Sequence, residues 1–418
     1  MSQLHAYVRL LQEHPRYVAF GFVHFFFSSL GQSFLIGTFK PYWLTDLELT
    51  DQQFGNLYAA ANMASAVALT LVGGLADRFP LRYLSLVDGL LLVFFCWAAA
   101  QVSHGWMLMM VLFGLRFTGQ GFMVLLGSTG IARYFLAARG KALGLATLGL
   151  PVGEALFPAL LVLLFSLAPW TMGWQALGLS VVVVFLPLVF WLVPIADVFQ
   201  RPLQPSSGPA AENHVAASRD YTRAEVLRDP VFYAVLPVAL FTPFFFTGIV
   251  IHQNMLSAAK GWTPETFATA FAGYGVIRFV ANLMAGPFID RYRAQRVFMV
   301  SLAPMAVGML LLALMDAPWV AWAFLMLAGV TASTSALATG ALWAELYGGR
   351  HLGAIKSMAA TVMVFSTAVA PVVFVPFLEN SNTVRLTMLA AAGLAVLFSV
   401  AAALAVRRHR AKTNVAGM

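Results

Sequence analysis

The sequence predicts an all-α membrane protein: twelve transmembrane helices in two pseudo-symmetric six-helix bundles. Three observations predict it. The 418 residues are 60% hydrophobic and 10% charged, with a mean hydropathy of +0.81. Soluble domains run at about 45–50% apolar and 25% charged, so this composition cannot build a water-facing surface. In a bilayer the same composition is at home, because helices satisfy their own backbone there. Next, twelve apolar runs each reach the roughly 20 residues a helix needs to cross. Last, a charged hairpin recurs halfway along the chain. It reads Gly73-Gly74-Leu75-Ala76-Asp77-Arg78-Phe79-Pro80-Leu81-Arg82 and then Gly286-Pro287-Phe288-Ile289-Asp290-Arg291-Tyr292-Arg293, and its Asp-Arg pairs recur at an offset of 213.

The first six runs are 17–39, 53–76, 83–103, 106–132, 140–168 and 172–195. Residues 1–196 form the expected N-terminal bundle. The stretch before the first run is mixed and charged and carries no cleavable signal peptide, so the first span serves as the insertion signal. Residues 197–229 are the one long polar stretch and read as a cytoplasmic linker. Gln204-Pro205-Ser206-Ser207-Gly208-Pro209 is a flexible segment, and Ser218 to Asp229 suits a short amphipathic helix. Residues 230–418 form the C-terminal bundle, with runs at 231–256, 264–289, 297–315, 318–344, 352–377 and 385–406.

Charge sets the orientation. With the N-terminus cytoplasmic, 20 of the 25 Lys and Arg fall on the cytoplasmic side. Only Lys40, Lys260 and Arg385 fall outside, and Arg116 and Arg278 lie within spans. This positive-inside bias accounts for the net charge of +8 without a nucleic-acid partner. Compact loops and short tails suit a bacterial inner membrane, with both termini cytoplasmic. The one cysteine, Cys96, reads as a packed thiol, and no metal-ligand spacing is present.

Further offsets support a duplication. Tyr134 and Tyr347 share the offset of 213, as do Gly140 and Gly353. Phe25-Phe26-Phe27-Ser28 in span one answers Phe244-Phe245-Phe246-Thr247 in span seven at an offset of 219. Such parallel repeats belong to secondary transporters.

On these residues the chain resembles the major facilitator superfamily over essentially its whole length. The first hairpin matches that family's signature at Gly73, Leu75, Ala76, Asp77, Arg78 and Arg82. It departs at Pro80, where the family has glycine, and at Leu81, where it has a basic residue. Arg116-Phe117-Thr118-Gly119-Gln120-Gly121 in span four is similar to the family's Arg-x-x-Gln-Gly pattern with one residue inserted. Gly149-Leu150-Pro151-Val152-Gly153-Glu154 resembles the span-five motif of drug antiporters, with altered spacing and an added glutamate. A basic residue and glycine at the start of span five, with an arginine in span eight, resemble the monocarboxylate and oxalate:formate branch. The resemblance implies a transporter that works by alternating access.

Ionisable groups near the bilayer centre cost several kcal/mol and need a reason. Gln32, Arg116, Gln120, Glu154, Arg278 and Asn282 count to the midplane. Two readings stand for Arg116 and Glu154. They form a fixed ion pair between spans four and five, or Glu154 carries a proton while Arg116 alternates between it and the substrate. Arg278 suits a carboxylate, which its planar fork grips bidentately, with Gln32, Gln120 and Asn282 as neutral partners. Two positive charges against one negative favour an anionic substrate, with protons as the coupling ion. The hairpin residues Asp77, Arg78, Arg82, Asp290 and Arg291 read as a cytoplasmic latch that holds the outward-open state. His24 reads as a hydrogen-bonded buried histidine, and Asp88 as the partner of a cytoplasmic-side arginine. Pro151, Pro158, Pro243 and Pro371 kink their spans.

No phosphate loop, zinc motif or nucleophile triad appears, so no enzymatic activity and no cofactor are expected. The leading expectation is a monomeric, proton-coupled transporter of a small, monocarboxylate-like organic anion. Alternatives are a proton-antiport exporter of amphipathic compounds such as drugs or siderophores, and a non-transporting sensor. The lack of a visible appended domain weighs against the sensor.

Overall fold

The computed structural model describes residues 2–135, 139–192, 220–348 and 351–416; the side chains of Asp77, Arg139 and Asp290 lie outside the described set. The flexible segment read at Gln204–Pro209 also lies outside it. Among the described residues, twelve helices are long and apolar enough to cross a membrane. Spans one to six run Pro15–Asp46, Asp51–Val72, Leu81–Ala99, Gly105–Tyr134, Gly140–Leu167 and Thr171–Leu192. Spans seven to twelve run Pro230–Ile251, Glu265–Ala285, Ala294–Leu314, Trp319–Tyr347, Ile355–Phe377 and Ser381–Arg408. Among the described residues there is no strand.

The chain divides into two compact units, Met1–Ala211 and Glu212–Met418. Within the first unit, span one packs on spans four and five, span two on span four, and span three on spans four and six. Within the second, span seven packs on spans ten and eleven, span eight on span ten, and span nine on spans ten and twelve. The pairings repeat with an increment of six spans, which is the duplication that the offsets imply. Tyr134 and Tyr347 each close their helix, at the ends of spans four and ten.

Several spans are interrupted, and the break in span one has a counterpart in span seven. Span one is helical over Pro15–Phe27, tightens to a 3₁₀ turn at Ser28–Gly31, becomes extended at Gln32, and resumes as Ser33–Asp46. Span seven breaks at His252, the matching depth in the second unit, and resumes as Gln253–Ala259. Span four widens into a π-helical stretch at Arg116–Met123, and span six does so at Val181–Phe185. Span five breaks at Leu148. Pro151 lacks the N–H that would bond the Thr147 carbonyl, which places the break one turn before it.

Side-chain caps start the helices where the sequence supplies them. Thr50 and Gln53 form a reciprocal capping box ahead of span two, and Thr222 and Glu225 do the same for a short helix at Arg223–Arg228. Asp229 then caps span seven by accepting from the Val231 N–H at 2.9 Å. The backbone N–H of Tyr221 donates to the Tyr347 carbonyl at 3.0 Å, which ties this segment to the end of span ten.

Span one runs further than the sequence suggests. Lys40 and Pro41 read as its end, yet both lie inside the helix Ser33–Asp46. Lys40 is buried and ion-paired with Asp51, so its charge does not mark a loop. Lys260, its counterpart past the break in span seven, is likewise buried and pairs with Asp316 at 2.6 Å.

Candidate functional site

In the first unit the polar centre forms where the 3₁₀ turn of span one crosses the π stretch of span four. A Cβ on Gly119 would lie 2.6 Å from the Gly31 nitrogen and 2.8 Å from its Cα. Two glycines therefore let backbone touch backbone. Arg116 opens the π stretch and is 1% exposed. Its Nε donates to Asn62 Oδ1 at 3.1 Å, and its Nη1 donates to the Gly31 carbonyl at 3.1 Å and to Ser33 Oγ at 3.3 Å. Ser33 Oγ and the Tyr58 hydroxyl share a further hydrogen bond at 2.9 Å. The Tyr58 ring lies 5.3 Å from the guanidinium carbon. One arginine thus knots spans one, two and four together.

This differs from the expected partnership. The donors of Arg116 go to Asn62, Gly31 and Ser33, not to Glu154. An extra residue in a helix turns everything before it by roughly 100° relative to the remainder of the helix, so the π stretch decides which neighbours Arg116 meets. Glu154 is buried on span five, beside Gly153, whose Cβ would lie 2.9 Å from that of Ser29. Gln32 sits at the extended break and Gln120 in the π stretch, both half-buried. Two buried polar atoms close to this knot, Asn62 Nδ2 and Ser29 Oγ, have no hydrogen-bond partner among the described residues.

In the second unit Arg278 lies half-buried within span eight. Its guanidinium carbon is 5.7 Å from the centre of the Tyr274 ring, one turn earlier. Tyr274 stacks on Phe246 of span seven at 4.9 Å and meets Phe271 edge-on at 5.6 Å. Ser333 of span ten donates to the Arg278 carbonyl at 3.2 Å. Asn282, one turn past Arg278, is half-buried too.

The buried histidines find partners locally, and Asp88 does not. His24 Nδ1 donates to the Phe20 carbonyl at 2.8 Å, and its Nε2 lies 2.8 Å from Ser85 Oγ, so both ring nitrogens are engaged. His252 Nε2 donates to the Pro371 carbonyl at 2.8 Å. Asp88 does not pair with an arginine: neither of its buried oxygens has a hydrogen-bond partner among the described residues. The nearest arginine on its helix, Arg82, is six positions earlier, off the i+3 and i+4 face. It rests instead on Phe190, its guanidinium carbon 3.9 Å from the ring centre. Of the remaining hairpin residues, Arg78 is exposed and Arg291 lies over Tyr292 at 5.4 Å.

The family assignment now has its geometry. The model of the Major Facilitator Superfamily matches residues 21–259 and 244–417. The chain belongs to this superfamily. Its members are transporters, not enzymes, and this chain is an integral membrane transporter. Among solved structures, it is similar to a bacterial homolog of the human lysosomal transporter Spinster, in an inward-facing and unoccupied conformation. That match has a TM-score of 0.66 at 15% identity and covers 94% of this chain and 97% of the other. It is also similar to the nucleoside transporter NupG, with a TM-score of 0.68 at 14% identity over 94% and 98% of the two chains. No curated protein matches it in sequence.

Two departures from the family pattern coincide with local backbone features. The residue inserted in Arg-x-x-Gln-Gly coincides with the π stretch at Arg116–Met123, a form that often marks functional sites. At Pro80 the backbone takes φ −59° and ψ 129°, which is proline's own φ. Arg293, its counterpart in the second hairpin, instead takes φ 68° and ψ 142°, a conformation natural only to glycine. Asn62, Ser33 and Tyr58 escaped the reading of the sequence. Tyr58 and Asn62 are one helical turn apart within span two, and that spacing was the available signal.

Proposed function

We propose that this superfamily member carries a small organic anion across the membrane by alternating access, coupled to protons. The observation that carries the reading is Arg278: a half-buried guanidinium within a membrane span, set over Tyr274. A cation at that depth needs a function, and a carboxylate is the anion its fork fits best. Arg116 serves the same reading in a different way. Held by Asn62, Gly31 and Ser33, it organises the first unit, while Gln32, Gln120 and the unpartnered Asn62 Nδ2 and Ser29 Oγ offer polar contacts nearby. Glu154 is the proposed proton carrier, and Asn282 a neutral substrate contact. The proposed latch comprises Asp77, Arg78, Arg82, Asp290 and Arg291. The protein acts as a monomer in a bacterial inner membrane with cytoplasmic termini.

A second reading has its own support. Tyr274, over which Arg278 sits, packs on Phe246 and Phe271, and this aromatic cluster suits a bulkier amphipathic anion and hence an exporter. Thermal stabilisation of the purified protein separates the two. A panel of small carboxylates and amphipathic drugs is tested against the parent and Arg278→Ala. Stabilisation by a small carboxylate that vanishes in the variant supports the first reading. Stabilisation by amphiphiles alone, unchanged in the variant, overturns it.

A further inference from the structure

At the ends of spans one, three and six, two arginines from different helices rest on adjacent aromatic residues. Arg16, the second residue of span one, holds its guanidinium carbon 4.9 Å from the Trp191 ring centre. Arg82, the second residue of span three, lies 3.9 Å from that of Phe190. Odd spans begin and even spans end on one side, so all four residues share one membrane edge, the edge that the arginine distribution assigns to the cytoplasm. Phe190 and Trp191 are 62% and 61% exposed, and Tyr83, Val87 and Val183 are exposed on the same two helices. In a bilayer these side chains face lipid.

Arg82 has an unusual combination of properties. It is only 6% exposed, and among the described residues its guanidinium has no hydrogen bond or ion pair to a protein acceptor. A guanidinium carries five donors, and a ring face balances its charge without accepting them all. Arg16, which is exposed, likewise has no hydrogen bond or ion pair to a protein acceptor among the described residues. The nearest described carboxylate in sequence, Glu13, is taken by Arg9 at 2.6 Å. The first turns of spans one and three add their positive helix ends to the same spot.

We propose that this edge binds the phosphate of an anionic phospholipid, with Arg16 and Arg82 as donors and Phe190 and Trp191 as the platform beneath it. The lipid-facing aromatics favour a bilayer lipid over a free anion, which would gain nothing from them. Anionic lipids give the cytoplasmic leaflet the negative surface that such arginines meet. The inference does not depend on the substrate reading.

The test uses the full chain purified in detergent, with retention of phosphatidylglycerol against phosphatidylcholine followed by native mass spectrometry. The parent retains phosphatidylglycerol preferentially. The Arg16→Gln, Arg82→Gln double variant binds it roughly fivefold more weakly for each arginine removed. Phe190→Leu weakens retention in part, and Arg385→Gln, at an exposed position in the other unit, leaves it unchanged. Equal retention by the parent and the double variant overturns the proposal. So does displacement of the lipid by millimolar inorganic phosphate, which marks a free-anion site. If the double variant does not fold, Arg16→Gln alone decides, because Arg16 is exposed; unchanged retention there sinks the idea.

Discussion

A buried guanidinium is held in place by the acceptors it can reach. Arg116 is almost wholly buried and reaches three, on spans one and two, whereas Arg278 is only half-buried, with its guanidinium nearer to water. The two arginines should therefore respond differently to substitution. Asn62→Ala leaves the Arg116 Nε without its acceptor and is expected to lower stability by about 1–3 kcal/mol. Arg278→Ala should leave stability in the absence of substrate close to the parent's and abolish stabilisation by substrate. Thermal unfolding with and without ligand measures both; a large loss of basal stability in Arg278→Ala would contradict the division. Arg293 is a second residue with a local cost. A non-glycine residue at φ 68° and ψ 142° stores of order 1–3 kcal/mol. Arg293→Gly should thus raise the unfolding midpoint despite glycine's greater freedom when unfolded, and a lowered midpoint would show that the side chain does more than strain the turn. What the sequence conceals at this scale is direction. Count and depth put Arg116 and Glu154 near each other, but the rotation introduced by one extra residue in a helix is not visible in a hydropathy pattern.

Helices in a membrane gain nothing from hiding apolar surface from lipid, so close packing and hydrogen bonds hold them together. Span one illustrates this. Its middle third is lined by glycines from two neighbours: Gly119 of span four against Gly31, and Gly149 of span five, whose Cβ would lie 2.8 Å from the Phe26 nitrogen. A methyl group at either place must push backbone rather than a side chain. Gly119→Ala and Gly149→Ala are each expected to cost about 1–3 kcal/mol. Gly144, also on span five, has nothing within 4 Å of its would-be Cβ. Gly144→Ala should therefore be neutral or stabilising by roughly 0.5–1 kcal/mol, the ordinary helix preference for alanine. Comparing the three unfolding midpoints separates packing from propensity. A loss at Gly144→Ala as large as at Gly119→Ala and Gly149→Ala would show that backbone contact is not what sets the cost.

At the scale of the whole chain, composition, apolar runs and repeated offsets were enough to read twelve spans and a duplication, because lipid imposes length and polarity on every span alike. The ends of the spans were harder to read. Lys40 looked like a loop residue because a lysine in lipid is expensive, yet an ion pair with Asp51 and the Phe54 ring 5.6 Å away let the helix carry it inward. The duplication then makes a prediction of its own. Lys260 occupies the place in the second unit that Lys40 holds in the first, is also buried, and pairs with Asp316. The carboxylates differ: the Asp51 side chain is 30% exposed and that of Asp316 75% exposed. Lys260 also donates to the Met315 carbonyl at 3.2 Å. Removing the counter-charge from a buried cation is the costly direction, at about 3 kcal/mol or more. Asp51→Asn should therefore cost on that order. Asp316→Asn should cost less, because water already solvates that carboxylate and the Met315 carbonyl still accepts from the lysine. Lys40→Met should be milder than Asp51→Asn, since the stranded aspartate retains some access to water. Unfolding midpoints of the three variants, measured in one detergent, rank them. If Asp316→Asn proved as damaging as Asp51→Asn, the two pairs would be equivalent in energy although their carboxylates come from different loops, and exposure of the partner would not be what sets the cost.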